Sequence, residues 1–168
     1  MTISMYEASV PVFIRYLGNL KAILQKAAAH AEAKQIDPAV LVNSRLYPDM
    51  LPLSRQVHLV SDMAKSCPSR LTGAEPPKFE DTESTFPELL ERIDKTVAHL
   101  KSFRPDQIDG SEDTAISVPT RRGPMNMKGQ PYLLQFMLPN FFFHVTTAYA
   151  ILRHNGVELG KLDYLGAN

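Results

Sequence analysis

A long apolar segment near the C-terminus constrains the fold more than any other feature of the sequence. It runs from Gln130 to His154 and is followed by Asn155-Gly156. Its apolar residues recur at every third or fourth position, which predicts one long buried helix. Six residues fall on one stripe at helical spacing: Leu133, Met137, Asn140, His144, Ala148 and Ile151. The stripe therefore carries a polar pair, Asn140 and His144, one turn apart in an otherwise apolar face.

Two earlier segments show the same helical period. Residues 4–33 form an amphipathic pattern with an alanine-rich end, which predicts the first helix. Pro11 predicts either a kink just before it or a regular helix that begins there, with Ser9 close to the cap. A second helix is expected to start near Pro52, a residue favoured at the first helical position, and to end at Cys67-Pro68.

A third helix begins with the pattern of a capping box. Thr85 is followed three residues later by Glu88, and an apolar face then continues to Phe103. With the segment after Gln130, this makes four long helices in one domain that spans residues 1–168. The sequence therefore predicts an all-α fold, a four-helix bundle.

The connections between these helices differ in length and composition. Asp37-Pro38 predicts a short helical turn, and residues 71–84 have no usable period and indicate a loop. Residues 106–128 form a long excursion before the fourth helix, for which a short hairpin or an irregular path both fit. The C-terminal tail is expected to be loop-like and to be anchored to the body by Leu159, Leu162, Tyr164 and Leu165.

Composition and charge exclude several functional classes. The chain has 18 basic and 18 acidic residues without a block of like charge, which argues against nucleic acid as a partner. No apolar run approaches the roughly 20 residues that a membrane crossing needs, and no secretory signal is evident. The single cysteine, Cys67, cannot form an internal disulfide. We therefore expect a soluble protein in the reducing cytoplasm, with no membrane partner.

The polar residues on the inner faces of the second and fourth helices are the candidate site. Helix bundles build metal sites from side chains that project inward from facing helices. Asn140 and His144 could address one ion, and His58 could supply a third ligand from the second helix. Because two imidazoles and a neutral amide make a weak site, a further carboxylate or water would be needed for a divalent metal. Asp62 is the acid nearest to His58 in sequence.

A second interpretation of the same residues is structural. Buried histidine and asparagine side chains on an apolar face often hydrogen-bond to each other, so a contact from His58 to Asn140 or His144 would explain the pattern without metal. Nucleophilic catalysis has little support, since Cys67 precedes a proline with no histidine nearby and no Gly-x-Ser-x-Gly motif occurs.

Three consecutive aromatic residues, Phe141, Phe142 and Phe143, indicate how the fourth helix is covered. Consecutive helical positions spread over about 200° of the circumference, so the three rings cannot all face one narrow core. Either the surrounding bundle covers the helix on several sides or a second copy of the chain does. We favour a homodimer that covers the exposed ring.

Several motifs resemble a known superfamily. The most specific runs from Pro139 to Gly166 and includes Asn-Phe-Phe-Phe-His, and Leu46-Tyr-Pro-Asp-Met50 and Leu53-Ser-Arg-Gln-Val-His58 support it. Over nearly its whole length the chain resembles the DinB/YfiT-like superfamily of proposed metalloenzymes, most closely a branch whose domain has no known function. The resemblance implies a DinB-like four-helix bundle.

The resemblance also implies a site. Many members look like bundles with a histidine on the second helix and His-x-x-x-His on the fourth, which together hold a divalent metal, often zinc or nickel. By position, His58 matches the second-helix ligand and His144 the last ligand, while Asn140 takes the place of the first. Relatives include thiol-dependent transferases and isomerases, in which the metal favours the thiolate.

Two functional hypotheses follow. The first is a DinB-like bundle with a polar pocket and a weak divalent-metal site at His58, Asn140 and His144, acting as a metal-assisted, thiol-dependent transferase or hydrolase. The second is a non-catalytic dimeric bundle, or a protein that binds a small-molecule ligand, without metal. Convergence of the three side chains beneath an open cleft would favour the first, and mutual hydrogen bonds in a closed core the second.

Overall fold

The computed structural model describes residues 3–120 and 122–166 of the chain. A π-helical segment, Tyr132–Met137, directly precedes the last long helix. The elements in chain order are α1 (Val10–Ala33), α2 (Pro38–Val42), α3 (Leu53–Leu71), α4 (Phe86–Leu100), α5 (Pro105–Ile108), β1 (Ala115–Thr120), β2 (Gly123–Lys128), α6 (Gly129–Pro131), α7 (Leu138–His154) and α8 (Lys161–Leu165).

Four long helices, α1, α3, α4 and α7, form a bundle in which α1 and α3 each pack against both α4 and α7. The order of contacts gives the helix directions. Ser61 and Ser69 of α3 meet Thr96 and His99 of α4 in the same order, so these two helices run parallel. The predicted all-α four-helix bundle is confirmed.

The parallel arrangement of α3 and α4 explains the long connection between them. Residues 72–85 run from the end of α3 back to the level of its first turn, where α4 begins. We call residues 72–85 the crossover segment. Asp81 of the crossover segment contacts Arg55, in the first turn of α3, and so the segment has returned to the beginning of that helix. Acidic side chains from a loop are thereby placed beside the first half of α3.

The helix starts follow the local sequence signals. Helix α1 begins at Val10 with Ser9 at the cap and Pro11 in the first turn, so the second of the two predictions for this helix is confirmed. Helix α4 begins with the predicted capping box, since Thr85 accepts from the Glu88 backbone and the Glu88 carboxylate accepts from the Thr85 N–H.

The predicted end of the second long helix at Cys67-Pro68 is wrong. Helix α3 continues through Pro68 to Leu71, whose side chain is buried. Proline in this position removes a single hydrogen bond, to the carbonyl four residues earlier, near the end of the helix. Burial of Leu71 in the core favours the extra turn.

The fourth predicted helix is interrupted near its start. Residues Tyr132–Met137 form wider π-helical turns, and regular α-helix resumes at Leu138. The wider turns lie just before Pro139, where a regular α-helical ladder would have lost a hydrogen bond in any case. Of the six-residue stripe, the apolar members are buried and Asn140 and His144 are half-buried.

The excursion before the fourth helix contains a short hairpin, in which β1 and β2 pair antiparallel with Ile116 opposite Met127. The hairpin alternative is therefore confirmed. The C-terminal tail is less loop-like than predicted, because residues 161–165 form the short helix α8 against α1. Tyr164 packs edge-on against Tyr16, whereas Leu162 is 72% exposed and does not anchor the tail.

Within residues 3–120 and 122–166, no helix has the length and apolar character that a membrane crossing would require.

Candidate functional site

His144 of α7 is held in one orientation by a side chain of α3. Its Nδ1 lies 2.7 Å from Oε1 of Gln56, and Nε2 of Gln56 donates to the carbonyl oxygen of Leu51 at 3.0 Å. Because an amide oxygen can only accept, Nδ1 of His144 carries the proton in the neutral ring. The lone pair is then on Nε2, and the hydrogen bond fixes the direction in which this nitrogen points.

Burial lowers the pKa of His144 below its ordinary value of 6.5. The imidazole is therefore neutral at pH 7, and Nε2 can accept a hydrogen bond or a proton. The side chain is half-buried, so one part of the ring remains open to solvent.

Asn140 lies one turn before His144 on α7. Its Nδ2 donates to the carbonyl oxygen of Phe136 at 2.6 Å. Among the described residues none donates to Oδ1 of Asn140, so this oxygen is an acceptor without a protein partner in that part of the chain. Positions i and i+4 share a helix face, and Asn140 and His144 together present two hydrogen-bond acceptors on α7.

His58 belongs to a separate cluster. Its Nε2 lies 3.1 Å from Oε2 of Glu83 without hydrogen-bond geometry, and Nη1 of Arg55 lies 3.2 Å from its Nδ1. Since an arginine can only donate, Nδ1 of His58 is the acceptor and Nε2 carries the proton. Burial and then the nearby Arg92 lower the pKa of His58, and these effects exceed the opposite influence of Asp81 and Glu83.

Arg92 of α4 is the centre of this cluster and is only 1% exposed. Its Nη2 lies 2.9 Å from Oδ1 of both Asp62 and Asp81, and its Nη1 lies 3.0 Å from Oε2 of Glu83. Nη1 also donates to the carbonyl oxygen of Glu80 at 2.9 Å. A single buried guanidinium thus joins α3, α4 and the crossover segment, which satisfies the need of a buried charge for opposite partners.

The sequence-based hypothesis missed Arg92 and Gln56. Arg92 lies three residues after Leu89 and one before Ile93, so it occupies a core-facing position of an amphipathic helix. A charged residue there was a usable signal for a buried ion cluster. Gln56 carries a similar signal, since it lies three residues after Leu53 and four before Val60, at the edge of the apolar stripe of α3.

Gln56 and His58 are two positions apart on α3, and their side chains therefore leave the helix about 200° apart. The structure accordingly brings His144 to Gln56, and His58 to Glu83 and Arg55. Asn140 shares a helix face with His144 but not a partner.

Comparison with known proteins assigns the chain to a family. The model of the family described as Domain of unknown function (DUF1993) matches residues 5–165. The chain belongs to the DUF1993 family. A crystal structure of a DinB family member protein from Shewanella denitrificans is similar, with a TM-score of 0.89 and 42% sequence identity. The similarity covers 97% of this DUF1993 protein and 92% of the Shewanella denitrificans chain. The search of curated proteins found no match. The predicted resemblance to DinB-like proteins of unknown function is confirmed.

The three residues that the resemblance predicts as metal ligands are divided between two groups of partners in this DUF1993 protein. Both nitrogens of His58 face groups of the Arg92 cluster, and the remaining donors, Nε2 of His144 and Oδ1 of Asn140, are two neutral atoms. Across the part of the chain that the structure describes, no group of three or more His, Cys, Asp or Glu side chains could hold a metal ion. The assignment of His58, Asn140 and His144 as ligands of a divalent metal stays a prediction.

Proposed function

We propose that this DUF1993 protein binds a small molecule that carries a hydrogen-bond donor, at the face of α7 formed by Asn140 and His144. The observation that carries the proposal is the 2.7 Å hydrogen bond between Gln56 and His144. A histidine that only filled the core would be fully buried, whereas His144 is half-buried and has one nitrogen held by Gln56. The bond to Gln56 prepares Nε2 as an acceptor before a ligand arrives.

The chemistry of the site suits a neutral ligand group that donates, such as a hydroxyl, an amide or a thiol. The lowered pKa of His144 keeps the ring neutral, and Oδ1 of Asn140 provides a second acceptor on the same helix face. A neutral imidazole can also take a proton from a bound thiol or hydroxyl as a general base. We derive no step through a metal, because His58 does not join this pair.

Ligand binding can be followed at His144 itself. In ¹⁵N-labelled protein, the histidine ring signals should show the Nδ1-protonated form at His144, and titration with small thiols, phenols and amides should shift its Nε2 signal. The matched control is His154, an exposed residue in the last turn of the same helix. Gln56→Met should remove the preference for one protonated nitrogen. Equal shifts at both histidines, or no shift with any compound, would overturn the proposal.

Metal analysis tests the competing hypothesis of a metal-assisted, thiol-dependent transferase or hydrolase. We would measure zinc and nickel by inductively coupled plasma mass spectrometry in tag-free wild type, His144→Ala and His58→Ala. We expect no stoichiometric metal, including after incubation with zinc or nickel. Near-stoichiometric metal in the wild type that both substitutions abolish would contradict the metal-free site and establish the inherited one.

A homodimer through α7 is a further part of the proposal. Phe141 is buried and Phe142 half-buried, but Phe143 is 56% exposed beside His144. A second copy of the chain that covers Phe143 would remove this ring from water. Sedimentation velocity at micromolar concentration should show a dimer for the wild type, with weaker association for Phe143→Ser. A wild type that sediments only as a monomer would refute the dimer, and Leu162→Ser, at an exposed site on α8, is the control.

A cytoplasmic location stays a prediction as well.

A further inference from the structure

A concave surface lies away from His144, at the junction of α1, α2 and the start of α4. It is a cleft of about 600 Å³, and none of its lining residues belongs to the Asn140–His144 face or to the Arg92 cluster. This volume lies within the range of roughly 300–1,000 Å³ in which small-molecule sites of proteins fall.

The walls of the cleft are mostly apolar. Val42 of α2 and Phe86 of α4 are 1% and 2% exposed, so the hydrophobic core itself forms part of the lining. Ala28 of α1 and the prolines Pro38 and Pro87 complete the apolar surface. Such walls favour a ligand with an aromatic or aliphatic body, because its burial removes apolar surface from water on both sides.

The charged side chains of the cleft all have one sign. Glu32 and Asp37 line it, and no lysine, arginine or histidine is found among its described lining residues. Within the described part of the chain Glu32 has no ion-pair partner, and Asp37 uses Oδ1 to accept from the Ala39 N–H at 2.9 Å. Glu32 also lies in the last turn of α1, where the helix dipole favours a positive charge.

The basic residues in the last turns of α1 and at its C-cap lie on another surface. Lys26, His30 and Lys34 line a different depression, against Gly156 and Glu158. The charges at this end of α1 are therefore separated, with Glu32 at the apolar cleft and the basic side chains on another side.

We propose that the cleft between α1, α2 and α4 binds a small organic cation, an amine with an aromatic or aliphatic body. The apolar floor holds the body of the ligand, and the carboxylates of Glu32 and Asp37 hold its ammonium group. Charge complementarity and the apolar lining select this class over carboxylic acids and phosphates, which Glu32 and Asp37 repel.

The test compares three probes that share an aromatic body: phenethylamine, phenethyl alcohol and phenylacetate. Isothermal titration calorimetry at low ionic strength should show the tightest binding for the amine and the weakest for phenylacetate. In amide NMR spectra, the amine should shift signals of residues 28–42 and 84–87. Absence of binding at millimolar concentration, or equal affinity for amine and carboxylate, would overturn the proposal.

Substitutions separate the charge contribution from the shape of the cleft. Glu32→Gln and Asp37→Asn should each weaken amine binding by roughly two- to fivefold, the range for an exposed ion pair. Asparagine at position 37 still caps α2, so the fold is preserved. Glu7→Gln, which removes an exposed acid elsewhere, should change nothing, and Ala39→Trp should block the cleft for all three probes.

The outcome is independent of the Asn140–His144 site. The amide signals of residues 28–42 and 84–87 report on the cleft alone, because neither Asn140 nor His144 lines it. If Glu32→Gln leaves the affinity for phenethylamine unchanged, as Glu7→Gln should, the Glu32 carboxylate does not hold the ligand and the proposal fails. This outcome does not depend on the ring signals of His144.

Discussion

Replacement of the buried Arg92 by methionine should destabilise the protein by about 3 kcal/mol. Removal of one partner from a fully buried ion pair costs roughly 3–5 kcal/mol, because it leaves the other charge without compensation. The three carboxylates around Arg92 remain 18–35% exposed and can gain water, which places the loss at the lower end of this range. Methionine retains most of the apolar stem of arginine and so limits the loss of packing.

Urea unfolding followed by far-UV circular dichroism measures this change as a shift of the midpoint at constant slope. In thermal unfolding, the same loss corresponds to roughly 6–12 °C, at about 2–4 °C per kcal/mol for a chain of this size. Lys95→Met is the matched control, since Lys95 and Glu91 form an ion pair in which both side chains are more than 60% exposed. The control should change stability by no more than about 0.5 kcal/mol.

The loss of stability in Arg92→Met should be largest in one region of the protein. Arg92 holds Asp81 and Glu83 of the crossover segment, so Arg92→Met should accelerate amide exchange and proteolysis at residues 72–85 before other regions. An Arg92→Met variant as mild as Lys95→Met would show that the Arg92 cluster adds nothing to stability. Unchanged amide exchange in the crossover segment of the variant would show that Arg92 does not hold this segment in place.

Three further predictions concern pH, backbone contacts and capping. Burial lowers the pKa of His58 and of His144 in the folded protein, so below pH 6.5 the unfolded chain binds more protons than the folded one. The contribution of these histidines to stability should therefore be complete above pH 6.5 and decline towards pH 5.5. Equal urea midpoints at pH 7.5 and 5.5 would contradict this. Gly129→Ala should lower the melting temperature, because the new Cβ would lie 2.0 Å from a backbone oxygen. Gly18→Ala is the control: it lies in a helix with open space around it and should stabilise the protein by up to about 1 kcal/mol. Similar effects of the two substitutions would show that the close contact at Gly129 does not limit the side chain there. Thr85→Ala should cost about 1 kcal/mol by urea unfolding through loss of the cap on α4, and Thr85→Ser should retain most of it.

Much of the fold could be predicted because local signals agree with the tertiary structure. The apolar period predicted the four long helices, and the pairs Ser9 with Pro11 and Thr85 with Glu88 marked two helix starts. The error at Pro68 has a clear reason: a proline near a helix end loses one hydrogen bond, and burial of the following residues outweighs it. The π-helical turns lie just before Pro139, where the helix loses a hydrogen bond, but the apolar period of the sequence does not predict them.

The candidate site was predicted less completely than the fold. The sequence identified Asn140 and His144 as neighbours, since four residues of helix place them on one face. It did not identify the partner of His144 on α3, where 14 of 19 residues are buried and several polar side chains compete for the role. His58 was selected as the candidate from that helix, but Gln56 is the residue that contacts His144.

Local sequence signals were enough to predict which segments are helical, where the caps lie, and which residues share a face of one helix. The rotation of each helix about its own axis, and so the faces that meet, depends on packing between helices that are distant in sequence. A rotation of α3 by half a turn would exchange the surroundings of Gln56 and His58. The packing of α3 against both α4 and α7 sets that rotation, because it places His58 with Arg92 and the crossover segment and leaves Gln56 to orient His144.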